Sequence, residues 1–418
     1  MIAEVISIGD EITSGQRLDT NSQWLSERLG DLGVRVMFHT TVADDLDANV
    51  HVFRLALERA DIIVATGGLG PTADDLTRQA LAVSTNTDLV LDEAALEHIR
   101  RLFAHRKREM PPANQVQALF PHGSRVLPNP HGTAPGIDLD VPRTARAPAR
   151  IFCLPGVPAE MREMWTATVG PAIEAANPRR QAIRHRRIKC FGVGESDLEL
   201  MLPDLIRRGR SPQVGITVSQ ATITLRVTAE GETPQACYQT MEPTIATIRE
   251  CLGDLIFGEE DDELQHVVVR LLAERKQTLT TIECGTRGML AHWLGDAAVG
   301  TNTYVGGSVQ SDSTLARPPA PMFAGRDPTT IDPRQFVLDL ATNQRVAFPA
   351  DFALAIGPVP NNDVPGAPRG DVHLALLGPT GIQHKSYTYA GHPDILPART
   401  AKQALNLLRL TLLGRPVA

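Results

Sequence analysis

Short apolar runs alternate with amphipathic stretches throughout residues 1–172. The runs at 3–8 and 61–65 predict buried strands, and each leads directly into a loop that contains glycine. Residues 21–33 predict a helix, because the large apolar side chains of this segment fall on one stripe. Strand, loop and helix in this order, with short connections, predict a parallel sheet covered by helices on both faces.

The same alternation continues on either side of the second glycine loop. Residues 34–38 predict a strand and residues 50–57 part of a helix, and a helix is expected from Asp74 or Asp75. A further strand at 151–154 is followed by a loop and a helix that carries Glu160. The insert 141–150 is rich in Pro, Ala and Arg, and it predicts a surface loop.

The hydrophobic pattern changes after residue 180. Strands at 188–193 and 221–227 are interleaved with helices at 196–207 and 234–252, which is typical of an α+β module. A third region opens with a helix at 264–273, passes through a Pro/Gly-rich segment at 317–334 and ends in a helix at 401–413. We therefore expect a doubly wound α/β domain at 1–172, an α+β module at 180–257 and a second α/β domain at 260–418.

Composition narrows the class of protein. The length of 418 residues suggests two or three domains, and the five cysteines are widely spaced, which excludes a disulfide scaffold and a cysteine zinc site. No apolar run approaches the roughly 18–20 residues that span a membrane, and residues 2–8 lack the features of a signal peptide. The net charge of -7 disfavours a whole-chain nucleic-acid binder. These features predict a soluble, cytoplasmic, multidomain protein.

The most informative segment is the glycine loop, residues 66–77. Gly67, Gly68 and Gly70 let the backbone approach a ligand closely, and the following helix would aim free N–H groups at an anion. Asp74 and Asp75 would place carboxylates beside a phosphate, where a divalent cation would bridge the two. The alternative is structural: the glycines make a tight turn and Asp74 caps the helix.

A second acidic loop favours the functional alternative. Asp10 and Glu11 follow the first predicted strand, and strand ends at one edge of a parallel sheet converge. Asp10, Glu11, Asp74 and Asp75 are therefore expected to line one cleft. Asn129 and Thr133 in a turn-rich segment could close a nucleotide pocket, although they are also compatible with an ordinary loop. Gly156 before a helix could form a second phosphate lip or simply a stiff connection.

For two other features, the residues favour a structural interpretation over a functional one. Residues 179–210 carry an excess of basic side chains, but they lack a GxxG clamp and an aromatic stacking platform, so a solvated basic face is favoured over RNA binding. Cys284 lies at the end of an apolar run and could be a nucleophile, but a lone cysteine at a strand end is more often structural.

In combination and order, several of these motifs resemble the CinA family. They are Gly9-Asp10-Glu11-Ile12, Asp19-Thr20-Asn21-Ser22, residues 66–77, 129–136 and 154–161, and the segment Phe191-Gly192-Val193-Gly194-Glu195-Ser196-Asp197-Leu198. The resemblance implies a molybdopterin-binding-like first domain, a KH-like middle module and the family's carboxyl-terminal domain, over nearly the whole chain. It also implies a homodimer whose partner contributes to the pocket.

Family membership implies that the first domain is a metal-dependent ADP-ribose pyrophosphatase, which forms AMP and ribose 5-phosphate. Asp10, Glu11, Asp74 and Asp75 would then be catalytic, and Asp10, Asp74 and Asp75 would hold a divalent metal cation. Contacts to phosphate or nucleotide are implied for the remaining motif residues, namely Gly67, Gly68, Gly70, Thr72, Asn21, Asn129, Thr133 and Gly156.

The last domain departs from the pattern of the family's nicotinamide-mononucleotide deamidases. The family's Glu-Ser-Cys-Thr-Gly-Gly becomes Glu283-Cys284-Gly285-Thr286-Arg287-Gly288, which replaces the serine by Cys284 and a glycine by Arg287. The family's Gly-Ser-Ser appears here as Gly300-Thr301-Asn302, and its later tyrosine and lysine are missing from the segment Ser311 to Ala316. Catalytic groups that act as a unit fail together, so we expect no deamidase activity.

Two alternatives stay open at this stage. The first domain would bind a pterin or nucleotide without chemistry, since the same glycine loop serves binding and hydrolysis equally. The last domain would keep a deamidase that uses Cys284 as nucleophile; this needs a nearby base, and Glu283 points the opposite way on a strand.

Overall fold

The computed structural model describes residues 1–144, 146–177, 181–207, 209–310, 332–360, 370–388, 392 and 394–416. The chain divides into two units, residues 1–184 with 230–239 and residues 185–229 with 240–418. Within the described residues, every helix is too short or too polar to cross a membrane.

The first unit is built on a six-stranded sheet with the order β2-β1-β3-β8-β7-β6. The first four strands in this order run parallel to one another, and β7 runs antiparallel to both of its neighbours, β8 and β6. The strands are β1 (Ile2–Ile8), β2 (Arg35–Val42), β3 (Ile62–Thr66), β6 (Arg125–Leu127), β7 (Gly136–Val141) and β8 (Ala149–Leu154). A separate pair, β4 (Leu89–Leu91) and β5 (Leu119–Pro121), is antiparallel.

Helices cover both faces of this sheet. They are α1 (Asp10–Thr13), α2 (Thr20–Asp31), α3 (Leu46–Arg59), α4 (Thr77–Thr85), α5 (Glu93–His105), α6 (Pro158–Met164) and α7 (Gly170–Ala176), with a 3₁₀ segment at Pro112–Ala118 and a π-helical turn at Trp165–Val169. Alternation along β1 shows the two faces: Ala3 and Val5 belong to one buried cluster, Ile6 and Ile8 to another. The predicted doubly wound α/β class is therefore confirmed.

Two further sheets lie mainly in the second unit. A four-stranded sheet, β10-β11-β9-β12, comprises β9 (Ala182–Cys190), β10 (Gln213–Ser219), β11 (Thr222–Gly231) and β12 (Ile256–Glu259). Its helices are α8 (Glu195–Met201) and α9 (Pro234–Leu252), with a 3₁₀ turn at Gly253–Leu255. Strands and helices are mixed in this module, so the predicted α+β class is also confirmed.

The other sheet of the second unit has five strands in the order β14-β13-β15-β16-β17. The strands β13 (Leu279–Cys284), β14 (Tyr304–Gln310) and β15 (Phe352–Ile356) are parallel. The strand β16 (Asp371–Gly378) runs antiparallel to both of its neighbours, β15 and β17 (Gly381–Thr388). The helices are α10 (Leu264–Arg275), α11 (Met289–Ala297), α12 (Pro333–Ala347) and α13 (Leu396–Leu412). This is the expected second α/β sheet.

Some predicted boundaries are wrong. The helix expected from Asp74 or Asp75 begins at Thr77, because the Asp75 carboxylate binds backbone N–H groups of the preceding loop instead of starting a helix. The strand predicted at 34–38 extends to Val42, and the helix predicted at 196–207 ends at Met201.

Two further segments also differ from their predictions. The loop predicted at 141–150 is shorter, since Val141 ends β7 and β8 begins at Ala149. Most of the Pro/Gly-rich segment, residues 317–331, lies outside the described residues.

Candidate functional site

A cleft of about 530 Å³ lies at the carboxyl ends of the parallel strands of the first unit. Loops that follow β1, β2, β3 and β8 form its walls, as expected for an open α/β sheet. Ten residues that the sequence singles out line it: Glu11, Asn21, Gly67, Gly68, Gly70, Thr72, Asp74, Asp75, Thr133 and Gly156. Asp10 and Asn129 lie next to the cleft rather than in its wall.

The glycines of the loop make room for the protein's own atoms. A Cβ on Gly67, where φ is +102°, would lie 2.1 Å from the carbonyl oxygen of Ile8. A Cβ on Gly68, where φ is +62°, would lie 2.3 Å from the hydroxyl of Thr77, which donates to the Gly67 carbonyl oxygen at 2.8 Å. The fold itself therefore requires glycine here, before any ligand is considered.

The carboxylate of Asp75 is occupied within the loop. It accepts hydrogen bonds from the backbone N–H groups of Gly70 at 2.7 Å and Thr72 at 2.9 Å, and from the Thr72 hydroxyl at 2.5 Å. Gly70 makes space for this carboxylate, since a Cβ there would lie 2.3 Å from it. Two N–H groups that the sequence assigns to a phosphate thus have an internal partner.

Arg78 lies beneath the glycine loop and was missed by sequence reasoning. Its side chain is 4% exposed and donates to the carbonyl oxygens of Leu69 at 2.8 Å and Pro135 at 3.3 Å. Burial lowers the pKa of the Arg78 guanidinium to about 10, and the nearby charge of Asp75 opposes this shift. Gln117, also buried, donates to the same Leu69 oxygen at 3.3 Å.

Carboxylates gather at one side of the cleft. Asp10 and Asp44 exchange hydrogen bonds: the Asp10 N–H donates to Asp44 at 2.9 Å and the Asp44 N–H to Asp10 at 3.1 Å. Desolvation raises the pKa of Asp44, and the negative charges of Asp10, Asp74 and Glu11 raise it further, against the Asp10 hydrogen bond. The hydroxyl of Thr72 lowers the pKa of the exposed Asp74. Asp44 lines the cleft together with Glu11 and Asp74, and these three side chains form its acidic wall. Sequence reasoning missed Asp44.

Two asparagines connect the loops around the cleft. Asn129 is buried; its amide donates to Glu160 at 2.7 Å and to the Ala134 carbonyl oxygen at 3.0 Å, so it organises the turn-rich segment. Asn21 donates to the carbonyl oxygen of Gly156 at 2.9 Å and joins α2 to the loop after β8. Each asparagine holds a wall of the cleft in place.

The donor set fits a divalent cation that a ligand helps to hold. Within the described part of the chain, three or more potential metal-binding side chains are nowhere grouped closely enough to form a complete site. Glu11, Asp44 and Asp74 nevertheless line the same cleft, and their charges repel. Mg²⁺ typically uses one or two carboxylates together with phosphate oxygens and water, so a complete protein cage is unnecessary.

The carboxylate at the corresponding strand edge of the second unit is not accessible. Glu283 and Cys284 are fully buried, and so is Thr286. Glu283 accepts from the Thr286 hydroxyl, from the Leu290 N–H at 3.1 Å and from the Ala291 N–H at 2.8 Å, at the start of α11. Asn302 is exposed, whereas Ser311 and Ala316 lie outside the described residues.

The basic residues of β9 have acidic partners. Arg186 contacts Glu259 at 2.6 Å, and Lys189 contacts Glu263 at 3.5 Å. Arg187 contacts Asp261 at 3.1 Å. Each of these three basic side chains therefore has an acidic partner outside β9.

Two family models match the chain. Residues 4–175 match the model described as "Probable molybdopterin binding domain", and residues 185–258 match "Damage-inducible protein CinA KH domain". The first match contains every residue that lines the cleft.

Relatives match over the whole length. The chain is 34% identical over 423 residues to the "Putative competence-damage inducible protein" of Desulforamulus reducens, covering 99% of this chain and 100% of that protein. A "CinA-like protein" of Dictyoglomus thermophilum is 32% identical over 421 residues, covering 99% and 100%. The chain belongs to the CinA family. A solved CinA structure from Thermoplasma acidophilum is 36% identical and covers 41% of this chain and 97% of that one, with a TM-score of 0.37.

In this member of the CinA family, the motifs that identify the family also form the walls of the cleft. The glycine loop and the Asp10–Glu11 loop follow β3 and β1, and the loop that carries Gly156 follows β8. The chemistry available to the first unit is therefore that of an acidic cleft beside a rigid glycine loop.

Proposed function

We propose that the first unit hydrolyses the diphosphate of ADP-ribose, with a divalent cation, to AMP and ribose 5-phosphate. The observation that carries this proposal is the meeting of Glu11, Asp44 and Asp74 with the glycine loop in one cleft. A diphosphate would not bind beside three carboxylates without a cation between them. The family resemblance supports the same activity.

The acidic wall would hold the cation, and the loop would position the substrate. When bound, a divalent cation neutralises phosphate charge and lowers the pKa of a coordinated water. Glu11, Asp44 and Asp74 are the candidates to hold it. A cation would also offset the desolvation and the charge repulsion that together raise the pKa of Asp44. The predicted metal and catalytic roles of Asp10 and Asp75 are less direct, because Asp10 does not line the cleft and both oxygens of Asp75 accept hydrogen bonds from the glycine loop.

The cleft also has an apolar wall suited to a nucleobase. Leu18 is 81% exposed and Val157 is 53% exposed, and both line the cleft. The bond from Asn21 to the Gly156 carbonyl ties together the two segments that carry these side chains. We propose that the adenine ring lies on this apolar wall and the diphosphate faces the acidic wall.

The test is product analysis with the full chain. Purified protein is incubated with ADP-ribose and a panel of divalent metals, and AMP is measured. We expect metal-dependent AMP formation that falls by about 100-fold or more in Asp74→Asn, because this exposed side chain faces the cleft. Asp47→Asn on the exposed surface of α3 is the matched control and should keep wild-type activity. Equal AMP formation by wild type and Asp74→Asn would exclude Asp74 from the mechanism.

A binding protein without chemistry is the second candidate. The description of the first family model, a molybdopterin-binding domain, favours it, and the same cleft would serve. Binding of ADP-ribose or a pterin by calorimetry, without AMP formation under any metal, would support this candidate and exclude hydrolysis.

We also propose that the second unit has no deamidase activity and that the chain forms a cytoplasmic homodimer. The complete burial of Cys284 supports the first part, since a nucleophile must reach its substrate. Ammonia release from nicotinamide mononucleotide at an enzymatic rate would contradict it. The mass in light scattering tests the dimer, for which the family resemblance is the argument.

A further inference from the structure

Two oppositely charged side chains hold the two ends of one peptide group in the glycine loop. The carbonyl oxygen of Leu69 accepts from the Arg78 guanidinium at 2.8 Å. The N–H of Gly70, which belongs to the same peptide group, donates to Asp75 at 2.7 Å. The Leu69–Gly70 peptide is therefore fixed in orientation from both sides.

The same two side chains reach the neighbouring parts of the cleft wall. Arg78 also donates to the Pro135 carbonyl oxygen at 3.3 Å, which joins the glycine loop to the turn-rich segment at 129–136. Asp75 accepts from the N–H and hydroxyl of Thr72, at 2.9 and 2.5 Å, and its own N–H donates to the Thr72 carbonyl oxygen at 3.1 Å. The turn that presents Asp74 to the cleft thus depends on Asp75.

The burial of the Arg78 guanidinium costs free energy, which indicates that the charged side chain has a role here. Arg78 is 4% exposed, and its hydrogen bonds go to backbone carbonyl oxygens rather than to a carboxylate. Burying a guanidinium in this way costs free energy that an apolar side chain would avoid. An apolar residue, however, could not orient the Leu69–Gly70 peptide.

We propose that Asp75 and Arg78 are a positioning pair that sets the orientation of the glycine loop, and that Asp75 is not a metal ligand. The pair holds the Leu69–Gly70 peptide and the Thr72 turn so that Asp74 faces the ligand. This inference rests on the proposed function only in its kinetic readouts. Its structural readout, exchange of the Gly70 amide, is independent of any activity.

The test compares Asp75→Asn, Arg78→Met, Arg78→Lys and the double variant Asp75→Asn/Arg78→Met in the full chain. Hydrogen exchange of the peptide covering residues 67–76 is followed by mass spectrometry, and circular dichroism verifies folding. We expect each of the first two variants to exchange about tenfold faster or more, since each removes a charge-assisted hydrogen bond. The double variant should be no faster than the faster single one, because both act on one peptide. Arg78→Lys should recover part of the protection.

The matched control is Arg54→Met, since Arg54 is an exposed arginine of α3 that donates to the Val83 carbonyl oxygen at 3.5 Å. It should leave exchange in residues 67–76 unchanged. Wild-type exchange rates in both Asp75→Asn and Arg78→Met would overturn the proposal. If one of these two variants does not fold, the other decides alone: a folded variant with wild-type exchange in residues 67–76 overturns the proposal.

Metal titration separates positioning from ligation. For a positioning residue, the KM for ADP-ribose rises in Asp75→Asn, while the half-saturating concentration of the divalent metal stays within about twofold. A tenfold or larger rise in that concentration in Asp75→Asn, with none in Arg78→Met, would identify Asp75 as a ligand and overturn the proposal. If the wild type forms no AMP, the proposed function fails. The exchange experiment still decides the positioning pair.

Discussion

Both units contain a parallel strand that leads into a glycine-containing turn, but the side chains around the two turns differ. After β3, the turn opens on a cleft with Glu11, Asp44 and Asp74 in its wall. After β13, the nearest carboxylate, Glu283, is fully buried and caps α11. Topology alone therefore does not make a site, because the acidic group must face the cleft rather than the protein interior.

The two turns also differ in which residues occupy backbone conformations with positive φ. Gly67 and Gly68 occupy positive φ where the backbone of β1 and the side chain of Thr77 leave no room for a Cβ. In the second unit, Arg287 occupies a positive φ of 58°, with a side chain that is exposed. Both turns contain a glycine at positive φ without room for a Cβ, but the second also tolerates, at Arg287, a residue that its backbone conformation disfavours.

The largest effect is expected from Gly67→Ala, which tests the contrast between the two turns. We expect a loss of about 4 kcal/mol in the free energy of unfolding, because the added Cβ meets the carbonyl oxygen of Ile8 at an unfavourable φ. Gly285→Ala should cost less, since its Cβ would lie 2.7 Å from the Cβ of Val359 rather than 2.1 Å from a backbone oxygen. Urea titration measures both.

Gly123→Ala is the control for Gly67→Ala. Gly123 has a φ of +85°, and a Cβ added there would meet nothing within 4 Å, so this change reports the backbone strain alone. A Gly67→Ala protein as stable as Gly123→Ala would show that the contact with the Ile8 carbonyl oxygen adds nothing to the backbone strain.

The next prediction concerns the buried carboxylate of the second unit. Glu283→Gln should lower the free energy of unfolding by about 1–3 kcal/mol, because the amide nitrogen of glutamine cannot accept the hydrogen bonds that the carboxylate accepts. Thermal unfolding measures the change, with the exposed Glu274→Gln on α10 as control. If both variants unfold at the wild-type temperature, Glu283 is not structural, and the contrast with the acidic cleft would weaken.

The sequence pattern predicts the sheets better than the cleft. Continuous apolar runs such as residues 62–65 identify β3 because a strand buried on both faces needs no polar side chains. The carboxyl end of β2 was missed, since this edge strand alternates and includes His39, Thr40 and Thr41. Asp44 was missed with it. The burial of Arg78 depends on contacts with Leu69 and Pro135, distant in sequence, and no local pattern encodes them.

A smaller effect is expected from Arg287→Gly. Removing a side chain from a left-handed backbone conformation should stabilise the second unit by about 1 kcal/mol. Lys276→Gly, at a φ of 54° after α10, is a matched change and should act similarly. Calorimetric unfolding temperatures test both. Ammonia release from nicotinamide mononucleotide by Arg287→Gly would show that one residue, rather than the whole site, separates this unit from a deamidase.

The smallest predicted effect is a pH-dependent change in stability that comes from the raised pKa of Asp44 in the cleft. Burial and the charges of Asp10, Asp74 and Glu11 raise the pKa of Asp44 above its ordinary value of 3.8, so the folded protein keeps a proton that the unfolded chain has released. Ionised Asp44 therefore destabilises the fold above its folded pKa, and this penalty disappears as the pH falls below 3.8.

Asp44→Asn removes the charge and keeps an oxygen to accept the Asp10 N–H. We expect its unfolding temperature to exceed that of the wild type at pH 7 and to approach it at pH 3. Asp47→Asn, an exposed change on α3, should show no such dependence. A difference between Asp44→Asn and wild type that is constant from pH 3 to pH 7 would mean that the carboxylates of the cleft do not oppose one another. The first unit would then lack the electrostatic feature that sets it apart from the second.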